Sequence, residues 1–344
     1  MRKERSCGTV TYHLIDDFNI VFLLIKQHNT YHWGFPKGHQ EIKETDAMTA
    51  LRETKEETGL DVSIYHHIKS YVTYHPKSNI EKTVIYYLAE SQSQEVNIQI
   101  DKVIDFKWAT YDEVLSILTY ENDKILFRAL YEKAIEKRVF INPQLKDYMT
   151  HDVISAYDQL DQAHQRDHVL KVIDEALTMA KHFDVYYDMI YVIACYHDLG
   201  MLHGRDDHHI TGGNMLKDDH HLKRWFSDEE IYIMAQAVKD HRASKLEPPQ
   251  TIYGQIIAQA DRDLDLNDIL KRIVLYAKSN HPNISFTHFF PEGYKHLKEK
   301  YGKNGYMALL IKTDETIKKV AKLQALIEDE SRIYQQFYTL FQTL

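Results

Sequence analysis

The chain has 344 residues, 44% hydrophobic and 27% charged, with a net charge of −9. This length fits two globular domains and excludes a disordered or fibrous chain, while the acidic balance argues against general nucleic-acid binding, which needs a basic face. Apolar runs such as residues 20–25 and 190–195 are too short for a membrane helix, Met1-Arg-Lys-Glu-Arg lacks the apolar core of a secretory signal, and two cysteines, Cys7 and Cys195, exclude a disulfide framework, so a cytoplasmic protein is expected.

Residues 10–14 and 20–25 are β-branched and aromatic runs separated by the turn-rich Asp16-Asp17-Phe18-Asn19, which predicts a hairpin. Residues 45–58 carry a small, mostly apolar stripe of Ala47, Ala50, Leu51 and Thr54 at helical spacing, with Thr45 or Asp46 as N-cap and Gly59 as the stop. Residues 84–88 and 103–109 read as further strands, and 112–137 as one or two closing helices. Asn142-Pro143-Gln144 reads as a short linker. Beyond it the strand signal ends, and residues 170–180, 187–196, 228–238, 251–260, 265–278 and stretches from 292 onward have helical spacing. Gly200, Gly204, Gly212-Gly213 and Pro248-Pro249 are expected at junctions. Two domains follow, an α/β domain (1–140) with a mixed sheet between helices and an all-α domain (146–344). Histidine is unevenly spread, with 14 of 21 after residue 150, which suggests metal held by imidazole and carboxylate.

Within the predicted helix, Glu53 and Glu57 are four residues apart and share a face, with Glu56 one turn from Glu53. Like charges so placed repel unless cations sit between them, and clusters of oxygen donors suit Mg2+ or Mn2+. Arg52 can pair with Glu44 or Glu56. From Gly38 the spacing is five residues to Glu44, seven to Arg52-Glu53, then Glu56-Glu57-Thr58-Gly59-Leu60, with Thr54 where an aliphatic residue is usual. This pattern resembles the Nudix family. The resemblance implies metal-dependent hydrolysis of a nucleoside diphosphate linked to another group, with Glu53, Glu56 and Glu57 as metal ligands, the Gly38 carbonyl joining them, and Glu44 and Arg52 in support.

The flanks Trp33-Gly-Phe-Pro-Lys-Gly-His39 and Lys82-Thr-Val-Ile-Tyr-Tyr-Leu-Ala-Glu90 resemble the asymmetrical diadenosine tetraphosphate hydrolases over residues 5–120. That branch implies phosphate contacts from Lys37 and Lys82 and base stacking by Tyr87, with Tyr74 as a weaker candidate. Only one of Tyr86 and Tyr87 can face the cleft. These hydrolases carry a further glutamate before the last strand, where this chain has Asp101, Lys102 and Asp105, so the base stays open between Asp101 and a box glutamate.

In the second half, His168, then His197-Asp198, then His208, His241 and Asp261 occur in an order that resembles the HD-domain metal phosphohydrolases. The resemblance implies one ion held by His168, His197, Asp198 and Asp261. A second ion would use His208 and His241, with Asp198 bridging and His209 as the alternative to His208. Mn2+, Fe2+ or another transition divalent ion suits such donors. Asp167 and Asp206 are candidates to orient the histidines, and His151-Asp152 is expected to be a chance pair. The sequence therefore predicts a hydrolase of small nucleotides, dinucleoside polyphosphates in the first half and nucleotide phosphoesters in the second, without a membrane or nucleic-acid partner. A nucleotide sensor, or a pyrophosphohydrolase of RNA 5′ ends, is the alternative.

Overall fold

The structure, a computed structural model, describes residues 2–160, 165–241, 248–262, 264–307 and 309–344. The chain divides into two compact units, Met1–Tyr148 with Ala180–Asp188, and Met149–Met179 with Met189–Leu344.

The first unit is a mixed sheet with helices. Strands β1 (Arg2–Leu14) and β2 (Ile20–Gln27) form the predicted antiparallel hairpin, Tyr12 opposite Phe22. Asp16 fastens its turn by accepting hydrogen bonds from the Phe18 and Asn19 amides. Then come β3 (Trp33–Gly34), β4 (Lys37–His39), helix α1 (Asp46–Thr58), β5 (Val62–Lys77), β6 (Ile80–Ser91) and β7 (Val103–Ala109). The sheet runs β3-β2-β1-β6-β5, with β4 paired to β1 and β7 to β2. Among the described residues only the β1–β6 pair is parallel, Cys7 lying opposite Ile85. Cys7, Ala50, Ile64, Ile85 and Ala89 form a core cluster that joins α1 to the sheet. The closing segment is two helices, α2 (Tyr111–Ile117) and α3 (Glu121–Glu136).

Strands β3, β4 and β5 were absent from the sequence expectation. The first two are too short for periodicity to register, and β5 carries His66-His67 at a register shift between Ile64 and Lys69. The expected linker at Asn142-Pro143-Gln144 is instead the start of a short helix, α4 (Pro143–Tyr148). Asn142 Oδ1 accepts from the Gln144 amide at 2.8 Å, and proline, which lacks an N–H, is well suited to a first helical position.

Helices are the only regular elements among the described residues of the second unit. Its elements are α5 (Arg166–Ala180), α6 (Tyr187–Tyr196), α7 (His208–Asp218), α8 (Asp228–Asp240), α9 (Ile252–Ala260), α10 (Leu266–Asn280), α11 (Phe286–Tyr301), α12 (Asp314–Ile327) and α13 (Glu330–Thr343). Gly212-Gly213 is not a junction but lies inside α7. A side chain at Gly213 would meet the Ala235 carbonyl oxygen of α8 at 2.7 Å, so the glycine permits close helix contact. The tyrosine- and phenylalanine-rich tail is core material, in which Phe289, Leu297, Ile333 and Phe337 pack α11 against α13.

Candidate functional site

Helix α1 begins where Thr45 Oγ1 accepts from the Met48 amide and stops at Gly59, whose φ of 74° is left-handed. The 3.6-residue period then turns Glu53 and Glu57 inward, each 5% exposed, and leaves the Glu56 side chain 42% exposed. Strand β4 brings Gly38 against this face. A Cβ there would lie 1.9 Å from the Glu53 carboxyl carbon, so only glycine allows the carboxylate to lie over the backbone. Glu57 accepts from the Lys37 amide at 3.0 Å, and burial, opposed by Lys37, pushes its carboxyl up to about 7.

Arg52 ties these groups together. It forks onto Glu44 at 2.7 and 3.0 Å, reaches Glu53 at 2.7 Å and Glu56 at 3.4 Å, and donates to the His39 carbonyl. Hydrogen bonds from Arg52 and Thr49 hold the Glu44 carboxyl down at about 2. The loop before β7 presents Lys102, whose Nζ lies 3.6 Å from Glu53 and 3.5 Å from Glu56. Asp101 is exposed, and Asp105 accepts from the Phe106 amide. A cation thus stands where a carboxylate was sought, which marks the pocket as one that attracts positive charge. Among the described residues no three of these carboxylates bring ligand atoms within 4.8 Å of one another, but Glu53 and Glu56, which share that ammonium, offer the hard oxygen donors a divalent cation takes.

Lys82 on β6 lies opposite Tyr74 of β5 and Glu4 of β1. Burial and the nearby Lys37 lower its pKa, so the two lysines share one region. Tyr87 does not serve as expected. Strand alternation sends it to the face opposite Lys82, where it is 4% exposed and packs against Cys7 and Ala50, so its ring has no free face for a base. Tyr86 shares the Lys82 face but is buried edge-on against Phe35. Sequence reasoning missed Tyr120, Asp123 and His32. Tyr120 hydrogen-bonds His32, and the burial-raised carboxyl of Asp123 neighbours Tyr74. Their only signal is position on loops and a helix start, which carries no periodicity.

In the helical unit the candidate ligands sit at or beside helix ends. His168 is in the first turn of α5, His197-Asp198 follows the buried helix α6, His208 opens α7, and His241 and Asp261 terminate α8 and α9. Two groups of ligand atoms, each within 4.8 Å of one another, share Asp198. The first is His168, His197, Asp198 and Asp261, and the second is Asp198, His208 and His241. Asp198 Oδ2 lies 3.6 Å from His168 and 3.5 Å from His197, while Oδ1 lies 3.3 Å from His208 and 3.5 Å from His241. His209 belongs to neither group.

The imidazole orientations fit metal binding. Nδ1 of His197, His208 and His241 faces the carbonyl of Ala194, Arg205 and Val238 at 2.7, 2.7 and 2.6 Å. A carbonyl only accepts, so Nδ1 carries a proton and Nε2 is the atom turned toward Asp198, able to bind an ion once it holds no proton. These main-chain carbonyls orient the three rings. Burial alone lowers the His168 pKa, but Asp198 and Asp261 outweigh it and bring it to about 9. Tyr157, wholly buried and not singled out by the sequence, donates its hydroxyl to the Cys195 carbonyl at 2.9 Å and accepts from the Asp198 amide at 3.3 Å. His151-Asp152 contributes nothing to either group.

Comparison with known proteins accords with this geometry. The NUDIX domain family model matches residues 9–130 and the HD domain model residues 166–264. The rat (Rattus norvegicus) asymmetrical bis(5′-nucleosyl)-tetraphosphatase is 35% identical over 130 residues, which is 35% of this chain and 88% of the rat protein. The pig (Sus scrofa) protein of the same name is 32% identical over 134 residues, 36% of this chain and 90% of its own. The crystal structure of a C. elegans Ap4A hydrolase binary complex, 26% identical, aligns over 39% of this chain and 98% of its own with a TM-score of 0.36. Both families are dependent on divalent metals, and no helix among the described residues is long and apolar enough to cross a membrane. The chain therefore belongs to the NUDIX family of hydrolases through its N-terminal part and carries an HD domain in its helical part.

Proposed function

We propose that a Nudix domain at residues 1–140 hydrolyses dinucleoside polyphosphates of the diadenosine tetraphosphate type. An HD domain at residues 146–344 hydrolyses a nucleotide phosphoester. The observation that carries the first reading is the convergence of Glu53 and Glu57, both 5% exposed, on a face capped by Gly38 and Lys37. The tetraphosphatase activity for which the rat and pig relatives are named supports the substrate class.

Glu53, Glu56, Glu57 and the Gly38 carbonyl would hold Mg2+ or Mn2+. His168, His197, Asp198 and Asp261 would hold one transition ion, and His208 and His241 a second, across Asp198. Divalent ions in such sites neutralise phosphoryl oxygens and make bound water a nucleophile near neutral pH. Arg52 and Glu44 keep the box carboxylates aligned. Lys37 and Lys82 meet phosphate oxygens as point charges, and Tyr74, beside Lys82, covers the base. The full chain with Mn2+ and diadenosine tetraphosphate, its products resolved by mass, tests this. Glu57→Gln is expected to lower turnover by about a hundredfold or more, and unchanged turnover refutes the assignment. His197→Ala with Asp198→Ala should abolish nucleotide phosphoester hydrolysis while dinucleotide hydrolysis continues.

A further inference from the structure

The main chain delivers Lys102 to the carboxylates of α1. The loop that carries it crosses the C-terminal end of that helix, where the Asn97 amide donates to the Thr58 carbonyl at 2.8 Å and the Gln99 amide to the Glu57 carbonyl at 3.3 Å. Gly59 leaves room for this crossing, since a Cβ there would lie 2.9 Å from the Asn97 Cβ. The Lys102 amide donates to the Gln99 carbonyl at 2.9 Å, and the Lys102 carbonyl accepts from the His28 amide at 2.8 Å. With the backbone fixed on both sides, only the four-carbon side chain chooses where the charge goes. It goes toward α1. Burial disfavours a charge there, but Glu53, Glu57 and Glu56 outweigh that cost and raise the Lys102 pKa.

The two cations that reach Glu53 and Glu56 hold them differently. Arg52 takes Oε1 of Glu53 at 2.7 Å and forks onto Glu44 at 2.7 and 3.0 Å, so charge-assisted hydrogen bonds lock it in place. Lys102 faces the other oxygen of Glu53, Oε2, at 3.6 Å, and Oε2 of Glu56 at 3.5 Å. Both distances exceed a good hydrogen bond. The lysine side chain is also 41% exposed, so this is a screened ion pair and a weak one. The Glu53 oxygen that Arg52 leaves to a divalent ion is therefore the one that Lys102 faces. A doubly charged ion cannot settle there without repelling the ammonium. Arg52 stays, and Lys102 yields.

We infer that Lys102 is a tethered counter-cation that competes with the divalent ion for Glu53 and Glu56, and so sets the ion concentration at which the first unit becomes active. The inference rests on the reading of α1 as an ion-binding helix and adds how that binding is regulated. The ammonium relieves the repulsion between two acidic groups one helical turn apart, and an entering ion takes over that task as the side chain swings away on its fixed stem. Activity then follows the free ion concentration instead of staying saturated.

The test is Mn2+ titration of the full chain at fixed ionic strength, read by electron paramagnetic resonance, with the sites lost in Glu57→Gln assigned to the first unit. Lys102→Met keeps the length of the stem and removes the charge, and should tighten those sites about fivefold or more. Lys102→Arg keeps the charge and should change them by less than about twofold. Lys107→Met removes an equal charge that pairs with Glu113 at 3.3 Å, and should also stay within about twofold. The Mn2+ concentration that gives half-maximal hydrolysis of diadenosine tetraphosphate should fall in Lys102→Met in step with the affinity. Misfolding cannot imitate this result, because a damaged site binds its ion more weakly. If Glu57→Gln removes no site, the ion-binding reading fails and this inference with it. If Glu57→Gln does remove one, the inference alone is overturned by affinity unchanged or weakened in Lys102→Met, by equal tightening in Lys102→Arg or Lys107→Met, or by an unmoved half-maximal concentration.

Discussion

Replacing Tyr157 by phenylalanine isolates the contribution of one hydroxyl to the helical unit. The ring stays in its fully buried place, so no large cavity opens. What is lost is the 2.9 Å bond to the Cys195 carbonyl and the 3.3 Å bond from the Asp198 amide. A buried polar group left without a partner costs about 1–3 kcal/mol. Two such groups, one of them only weakly bonded, give a loss of about 2–4 kcal/mol. Asp198, whose two oxygens face the two groups of imidazoles, also loses the amide anchor that sets its position. Trp225 is the only tryptophan in the second unit, so its fluorescence, in a chain carrying Trp33→Phe and Trp108→Phe, reports unfolding there. Urea titration should show an earlier Trp225 transition, with manganese binding to the cluster weakened. A transition displaced by less than about 0.5 kcal/mol, with metal affinity intact, would refute the anchoring role of Tyr157.

Gly38→Ala forces a Cβ to within 1.9 Å of the Glu53 carboxyl carbon and should reduce dinucleotide turnover strongly with only a modest change in melting temperature; normal turnover would show that Glu53 need not lie over the backbone. Arg52→Lys cannot reproduce the fork on Glu44 together with the bond to Glu53, and a fall in turnover of about tenfold or more is expected. Gly213→Ala sets a methyl 2.7 Å from the Ala235 carbonyl oxygen and should destabilise the helical unit by about 1–3 kcal/mol, read from the same Trp225 transition. His66 stacks on His182 at 4.6 Å, and burial, then His182, lowers its pKa from the ordinary 6.5. A base depressed in the fold takes up its proton more readily when unfolded. The first unit should therefore lose stability as pH falls below about 6.5, and His66→Asn should flatten that slope in urea titrations at several pH values.

The chemistry of both sites was legible because it is written in spacing. The 3.6-residue period alone places Glu53 and Glu57 on one face, and the order of His168, His197-Asp198, His208, His241 and Asp261 marks helix ends that converge. What could not be read depends on neighbours far along the chain. Tyr86 and Tyr87 differ by one residue and so by face, and only what covers each face, Ala50 of α1 over Tyr87 and Phe35 beside Tyr86, decides that both are buried. Lys102 approaches Glu53 through a loop with no periodicity, and His208 is distinguished from His209 only by where α7 begins. Gly212-Gly213 looks like a break because glycine is a poor helix former, and only the packing of α8 shows why it is tolerated. Strand β5 was hidden by its polar residues and its register shift.

The grouping of Ala180–Asp188 with Met1–Tyr148 has a practical consequence for dissecting this protein. A polypeptide truncated near residue 140 loses the Lys181 ammonium that sits 2.7 Å from Glu90, the carbonyl that receives the His66 amide, and the Tyr187 ring packed on Tyr65. Such a fragment exposes an unpaired acid and an open stretch of strand, a surface prone to self-association. Poor solubility of that fragment would reflect its missing nine-residue patch rather than an inability of the N-terminal sequence to fold, and supplying residues 180–188 as a peptide should restore it.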